Sequence, residues 1–344
     1  MNIRRNFTAL DGDGRAKLVS AFLKLKREGN PASGRNYDTY VGWHHHVMPF
    51  AHKGPAFLPW HRQYLLLIEK DLQDVSGDPT LTVPYWDWTG ENGPASSLWD
   101  ADFMGGDGTG PDGRVTSGPF SADSGSWRLA HSDSGLNYLT RSFRLDLTLP
   151  TAEDVARAMA VDTYDAAPWN AASNINESFR NAFEGNWPGG PHLHNQVHGW
   201  VGGEMASMTS PNDPVFWLHH SNCDRIWAEW QDAKLTHGYL PLEPLPGRPG
   251  HSLNERLAMM GDATIASVLN FRALGYRYDT TPEASPLAVP PPPPLIMSLG
   301  LDYATAAAFI SLENDNLESA LAGTYRKTGP YAGDDLDMRR PARY

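Results

Sequence analysis

Cysteine is all but missing from this chain: Cys223 stands alone, so no disulfide can close within it. That suits a reducing compartment. Long apolar runs are missing as well, and no stretch approaches the roughly 20 residues that a membrane helix needs. The opening "MNIRRNFTALDG" holds Arg4-Arg5 but no apolar segment after it, so neither a secretory nor a twin-arginine signal is read there. A cytoplasmic location is expected, with export alongside a partner left open, and no membrane partner. Positive charge is scarce: 28 Lys and Arg against 40 Asp and Glu leave a net −12. A nucleic-acid partner therefore has no basic footprint to bind. The acidic surface serves solubility first.

What is present is aromatic and rich in turns. Twelve Trp, 28 Pro and 32 Gly suit a compact domain with long ordered loops. Leu18, Phe22 and Leu25 recur at helical spacing over 14–29, and Gly29 is the natural stop. The stretch "FLPWHRQYLLLIEKDLQDV" (57–75) is again helical, with Pro59 near its start, where proline is tolerated. "TLTVPYWDWTG" (80–90) reads as extended, and 90–128 as a long loop without period. Thr151, with an acid three residues on, predicts a helix start. Two more helices are expected near 192–199 and over 214–234. Pro290–Pro294 favour a stiff extended spacer. The chain thus divides into a main domain at 1–280, a Pro-rich linker at 281–295 and a C-terminal extension at 296–344.

Ten of the thirteen histidines fall into two clusters. One holds His44, His45, His46, His52 and His61; the other holds His192, His194, His198, His219 and His220. His194 and His198 stand four apart, so on a helix both imidazoles lean from one face. Each cluster reads as a histidine-bearing helix start followed by a helix whose first turns carry histidine. Phe57 lies four before His61 and Phe216 four before His220, with acids following at Glu69 and Asp224. Two helix pairs of similar design point to a mainly α fold, a four-helix bundle around a dinuclear metal site, with long irregular loops and few short strands. His131, His237 and His251 read as ordinary packing or surface residues.

The choice of metal follows from what is missing. A di-iron bundle repeats Glu and Glu-x-x-His, which these clusters do not. A zinc protease carries His-Glu-x-x-His, but "HNQVH" has Asn195 where the base belongs. A structural zinc site recruits thiolates, and Cys223 has no companion. Imidazole-only sites suit copper, although imidazole alone leaves zinc and nickel open.

The segments "GPAFLPWHRQYLLLIEKDLQ", "PYWDW", "LHNQVHGWVGG" and "SPNDPVFWLHHSNCDRIWAEWQ" closely resemble the bacterial tyrosinases of the type-3 copper family, which include o-aminophenol oxidases. The resemblance runs from the first helix to about residue 280. It implies two coppers, one held by His44, His52 and His61, the other by His194, His198 and His220, with O2 as co-substrate. His219 is then a packing neighbour. Some relatives crosslink a cysteine to the second ligand of the first copper; here the position two before His52 is Phe50, so that link is not expected. Glu184 and Asn195 match the family's water-holding pair, which implies help in deprotonating a phenol. The alternative is that Glu184 only orients a ligand.

Gly199 follows His198 at the expected pocket mouth and would leave it wide. Ser221 and Asn222 are expected either to meet substrate or to finish helix packing. Asp87 is expected to bond loop backbone or an arginine, Trp86 and Trp88 to fill core, and Asn212 and Asp213 to cap the last ligand helix. In the extension, Tyr325 or Tyr331 could enter the pocket as a lid residue; the alternative is that the tail packs on a remote surface or mediates oligomers. The function implied is O2-dependent oxidation of phenols to o-quinones. Its alternatives are an o-aminophenol or catechol oxidase that does not hydroxylate monophenols and, more remotely, a hemocyanin-like O2 carrier. Partners implied are a small phenol or aminophenol and a copper-delivery chaperone.

Overall fold

A computed structural model of the chain describes residues 1–189, 192–235 and 237–283. The first long helix, α1 (Gly12–Glu28), begins where the Asp11 side chain accepts the Gly14 N–H and ends at Gly29, whose φ of 70° suits a residue without Cβ. It buries Leu18, Phe22 and Leu25 and packs along α4 (Phe57–Ser76). Between them lie α2 (Tyr37–His46), started by a reciprocal cap between Asn36 and Thr39, and the single turn α3 (Met48–Ala51). The helix α4 lies against α8 (Val215–Ala233), and α7 (Leu193–Val201) packs on both α8 and α6 (Phe179–Glu184). The bundle that surrounds the histidines is made of α2, α4, α7 and α8, as the spacing predicts. Helix α5 (Ala152–Met159) starts at Thr151 with the expected capping box to Asp154.

Strand content is small. β1 (Asn2–Arg4) pairs in parallel with β4 (Tyr276–Tyr278), which brings the beginning of the domain to its end. The 90–128 segment is less formless than its composition suggests: β2 (Gly108–Thr109) and β3 (Arg114–Val115) form a short antiparallel ladder. Hydrophobic periodicity cannot reveal two-residue strands, because the pairing rests on backbone contacts made in the folded loop.

The core is aromatic. Trp60, Trp86, Trp88, Trp217 and Trp227 are all fully buried, as expected for the two of "PYWDW". Leu65, Ile68 and Leu72 complete the inner face of α4; burial stabilises each such side chain by roughly 1.5–3 kcal/mol. The acids at Glu69 and Asp224 have structural partners rather than metal-facing ones. Arg4, fully buried on β1, donates to Glu69 at 2.9 Å and to Asp224 at 3.1 Å. Asp224 also takes Arg62 Nε at 2.6 Å and the hydroxyls of Tyr276 and Tyr278 at 2.6 and 2.7 Å. Two arginines and two carboxylates thus tie β1, α4, α8 and β4 together.

No described helix is long and apolar enough to cross a membrane. The first compact unit spans Met1–Ser285. The Pro-rich stretch beyond residue 283 and the extension with Tyr325 and Tyr331 lie outside the described residues.

Candidate metal centre

Six of the clustered histidines come together in the middle of the bundle. The first group takes one residue from each of three elements: His44 from α2, His52 from the position that ends α3, and His61 from the second turn of α4. His44 sits in the last turn of its helix, not at a helix start as the likeness between the clusters suggests. The second group takes His194 and His198 from one face of α7 and His220 from α8. Within each group the ligand-capable atoms lie within 4.8 Å of one another. The groups are adjacent, because His61 and His220 stack with centroids 4.2 Å apart.

The protons decide what these rings can do. A carbonyl oxygen only accepts, so a ring nitrogen against one must carry hydrogen. His44 Nδ1 meets Met208 O at 2.9 Å, His61 Nδ1 meets Phe57 O at 2.8 Å and His198 Nδ1 meets Met205 O at 2.6 Å. His194 Nδ1 meets Asn195 Oδ1 at 3.0 Å. In neutral imidazole that leaves each Nε2 as a bare lone pair. His44 Nε2 and His61 Nε2 are buried without a partner. His194 Nε2 and His198 Nε2 both point at His220 Nε2, at 3.4 and 3.3 Å. One hydrogen on His220 cannot serve both. Buried lone pairs turned on each other are costly, and a metal cation in each group is what would satisfy them.

Burial also keeps the rings neutral. It is the main cause that lowers the pKa of all six, and neighbouring imidazoles add to it at most of them; His44 falls to about 3 and His198 to about 4. They are therefore ready to coordinate near neutral pH without first losing a proton. An all-imidazole donor set fits a pair of coppers.

His219 lies close enough to join the second group, yet its chemistry keeps it out. Trp88 Nε1–H donates to His219 Nδ1 at 3.1 Å, so the proton of the neutral ring sits on Nε2 and no free lone pair remains. His45 and His46 are exposed, and His45 pairs with Asp133 at 3.3 Å. His192 stacks on Trp187, with centroids 3.9 Å apart. His131 and His237 are exposed; His251 is buried against Phe50 and accepts the Ala56 N–H. Cys223 is buried 3.9 Å from the His219 ring.

Glu184 ends α6, fully buried beside the first group. Its Oε1 accepts the Lys53 N–H, next to His52, at 2.6 Å, and its Oε2 accepts Arg180 Nη1 at 3.1 Å. Burial raises its pKa, and Arg180 opposes that rise. Asn195 donates to Asn186 at 3.2 Å while it accepts from His194, and Asn186 in turn donates to Asn181 Oδ1 at 3.5 Å, which also accepts from Arg180, the partner of Glu184. Arg180 and Asn186 belong to this network, but their side chains carry no metal-ligand signal that spacing could reveal. Ser221 and Asn222 are fully buried, bonded to Val83 O and Arg225, and so finish packing. Asp87 accepts from Thr89 and lies 3.9 Å from Arg225. Asp213 caps α8 through the Val215 N–H at 3.1 Å, but Asn212 does not: its amide donates to His131 O and Glu204. The centre opens at His198 and Gly199, which are part-exposed.

Residues 34–233 match the family described as the common central domain of tyrosinase. Over 289 residues the chain is 43% identical to a tyrosinase from Streptomyces glaucescens, covering 81% of this chain and 100% of that one. It is 38% identical to grixazone synthase of Streptomyces griseus over 317 residues, 81% and 99% of the two chains. A polyphenol oxidase from Thermothelomyces thermophila aligns with a TM-score of 0.59 at 25% identity, over 81% of this chain and 88% of that one. A functional unit of octopus hemocyanin, at 24% identity and a TM-score of 0.53, shares the fold and covers 81% of this chain and 68% of its own.

Proposed function

As the chain belongs to the tyrosinase family, we propose that it oxidises phenols to o-quinones with O2 at two coppers, one held by His44, His52 and His61, the other by His194, His198 and His220. The observation that carries this reading is the inward convergence of Nε2 lone pairs on His44, His61, His194 and His198, whose rings have spent their Nδ1 hydrogens elsewhere. When bound, the copper pair supplies O2 activation and two-electron oxidation.

The protein's own part is to hold the rings and to handle the phenol's proton. Glu184 is the proton acceptor in this reading. Its burial moves its pKa toward that of a useful base, and each oxygen keeps acceptor capacity for a water beyond its direct contacts. Asn195, linked to Glu184 through Asn186, Asn181 and Arg180, fixes the His194 ring and one side of that water's position. The open edge at His198 and Gly199 admits the aromatic ring from solvent. The burial of the other ligands suits copper delivery by a dedicated chaperone.

Similarity to grixazone synthase, whose name sets it apart from the tyrosinases, favours a second reading of the same site: oxidation of o-aminophenols without monophenol hydroxylation. Oxygen uptake by the copper-loaded protein, compared for a monophenol, its o-diphenol and an o-aminophenol, tests both. Prompt uptake with the monophenol is expected. Uptake with only the ortho-substituted compounds selects the second reading, and none with any of them overturns both.

A further inference from the structure

Two ligands that belong to different coppers are oriented by one short piece of chain. Met205 O takes the Nδ1 hydrogen of His198, and Met208 O takes that of His44. The chain reaches this position by a sharp turn after α7, where Gly202 and Gly203 adopt φ of 65° and 54°. A Cβ on Gly203 would lie 2.2 Å from Thr140 O, so the close approach needs glycine. Glu204, the next residue, is almost fully buried.

Glu204 differs from the other buried carboxylates. Glu69, Asp71, Asp165, Glu184, Asp213 and Asp224 each pair with an arginine. Among the described residues Glu204 has no ion pair; its neighbours are neutral. Oε2 accepts Thr209 Oγ1 at 3.0 Å and Asn212 Nδ2 at 3.2 Å, while Oε1 accepts the hydroxyls of Ser132 and Ser134. Four donors fill the roughly four lone-pair sites of a carboxylate. Two of those donors lie on the same loop as Met205 and Met208, and two lie on the facing loop, which is also tied down where Asp133 accepts the Met208 N–H at 2.8 Å.

From this arrangement we infer that Glu204 is a positioning residue for both halves of the metal centre. It holds the 204–209 loop so that the Met205 and Met208 carbonyls orient His198 and His44 together. The inference rests on the dicopper reading of the site and not on the substrate. Because its partners are mostly hydroxyls, which can donate or accept, glutamine fits the same place. Its carbonyl can serve Thr209 and Asn212, and its amide can serve Ser132 and Ser134.

The test is copper affinity at each site, measured by chelator competition on the apo full chain reloaded with copper, with no phenol present. Glu204→Ala is expected to weaken both sites in parallel by about tenfold to a hundredfold, the usual cost of losing a group that orients a ligand. Glu204→Gln is expected to bind within about threefold of the parent, since glutamine keeps the hydrogen-bonding shape. Wild-type affinity in the alanine variant, loss at one site alone, or a glutamine variant as weak as alanine overturns the inference. If Glu204→Ala does not fold, Thr209→Val removes one donor, and a smaller parallel loss is expected; loss at one site or none overturns it. A parent chain that binds no copper would refute the dicopper reading instead, which separates the two failures.

Discussion

The two halves of the metal centre are built differently. In the second, α7 alone sets two imidazoles one turn apart, and α8 adds His220 from a fully helical segment. In the first, the three candidate ligands come from three elements, and His52 stands on non-helical backbone between α3 and α4. Helical periodicity builds the second half locally. The first exists only once α2, α3 and α4 are packed. Their anchors differ accordingly. The second half is fastened at the start of α8, where Arg141 grips Asp213 at 2.7 and 2.8 Å, and Asp213 also caps the helix. The first is fastened by Asp71 on α4, which accepts Arg35 at 2.8 Å and Tyr40 of α2 at 2.5 Å.

Removing a ligand from either half is the largest break in this comparison. His220→Ala and His44→Ala are each expected to lose one copper per chain and to abolish oxygen uptake, as metal analysis and an oxygen electrode would record. Next comes the anchor of the second half. Asp213→Ala leaves Arg141 buried and unpaired, and the expected loss is about 3–5 kcal/mol in denaturant unfolding. A loss below about 1 kcal/mol would show that α8 holds its register without this pair.

Glu184→Gln touches the first half through Lys53 without removing a ligand. It is expected to slow monophenol hydroxylation by about a hundredfold, and oxidation of the o-diphenol by much less, because only the monophenol needs the proton acceptor in this way. Equal slowing of both would make Glu184 an orienting residue only.

The smallest expected effect is pH-dependent and again confined to the first half. His251 packs on Phe50 and accepts the Ala56 N–H, and burial, with Arg248 nearby, lowers its pKa to about 3. The folded chain keeps this ring neutral, whereas the unfolded chain protonates it near the ordinary 6.5. Its contribution to stability is therefore present above about pH 6.5 and is lost progressively as pH falls toward 3. By pH 4.5 the loss is about 2.7 kcal/mol. His251→Phe should flatten that acid limb in apo-protein unfolding curves, and an unchanged slope would remove His251 from the account.

Much of the site could be read before any coordinates. His194 and His198 declare themselves by spacing, and the family resemblance implies all six ligands that the fold then brings together. His219 and His220, adjacent in "FWLHH", cannot be told apart by spacing, and here the fold decides: Trp88, distant in sequence, takes up the lone pair that His219 would need. Asn212 reads as a cap beside Asp213, yet its amide serves His131 O and Glu204, because the loop it ends folds back on another loop. Glu204 itself carries no signal in "GGEMASMTSPNDP"; its meaning depends on Ser132 and Ser134.

Local spacing and composition were enough for the helical frame, its caps and the pairing of imidazoles, since these rest on contacts within a turn or two of chain. At His61 and His194 the acceptor that frees the other nitrogen is also local, Phe57 O and Asn195, but at His44 tertiary packing decided it, since the acceptor is Met208 O, 164 residues away. A tautomer is set by whatever stands opposite the ring, and at His44 and His219 that partner comes from a distant part of the chain.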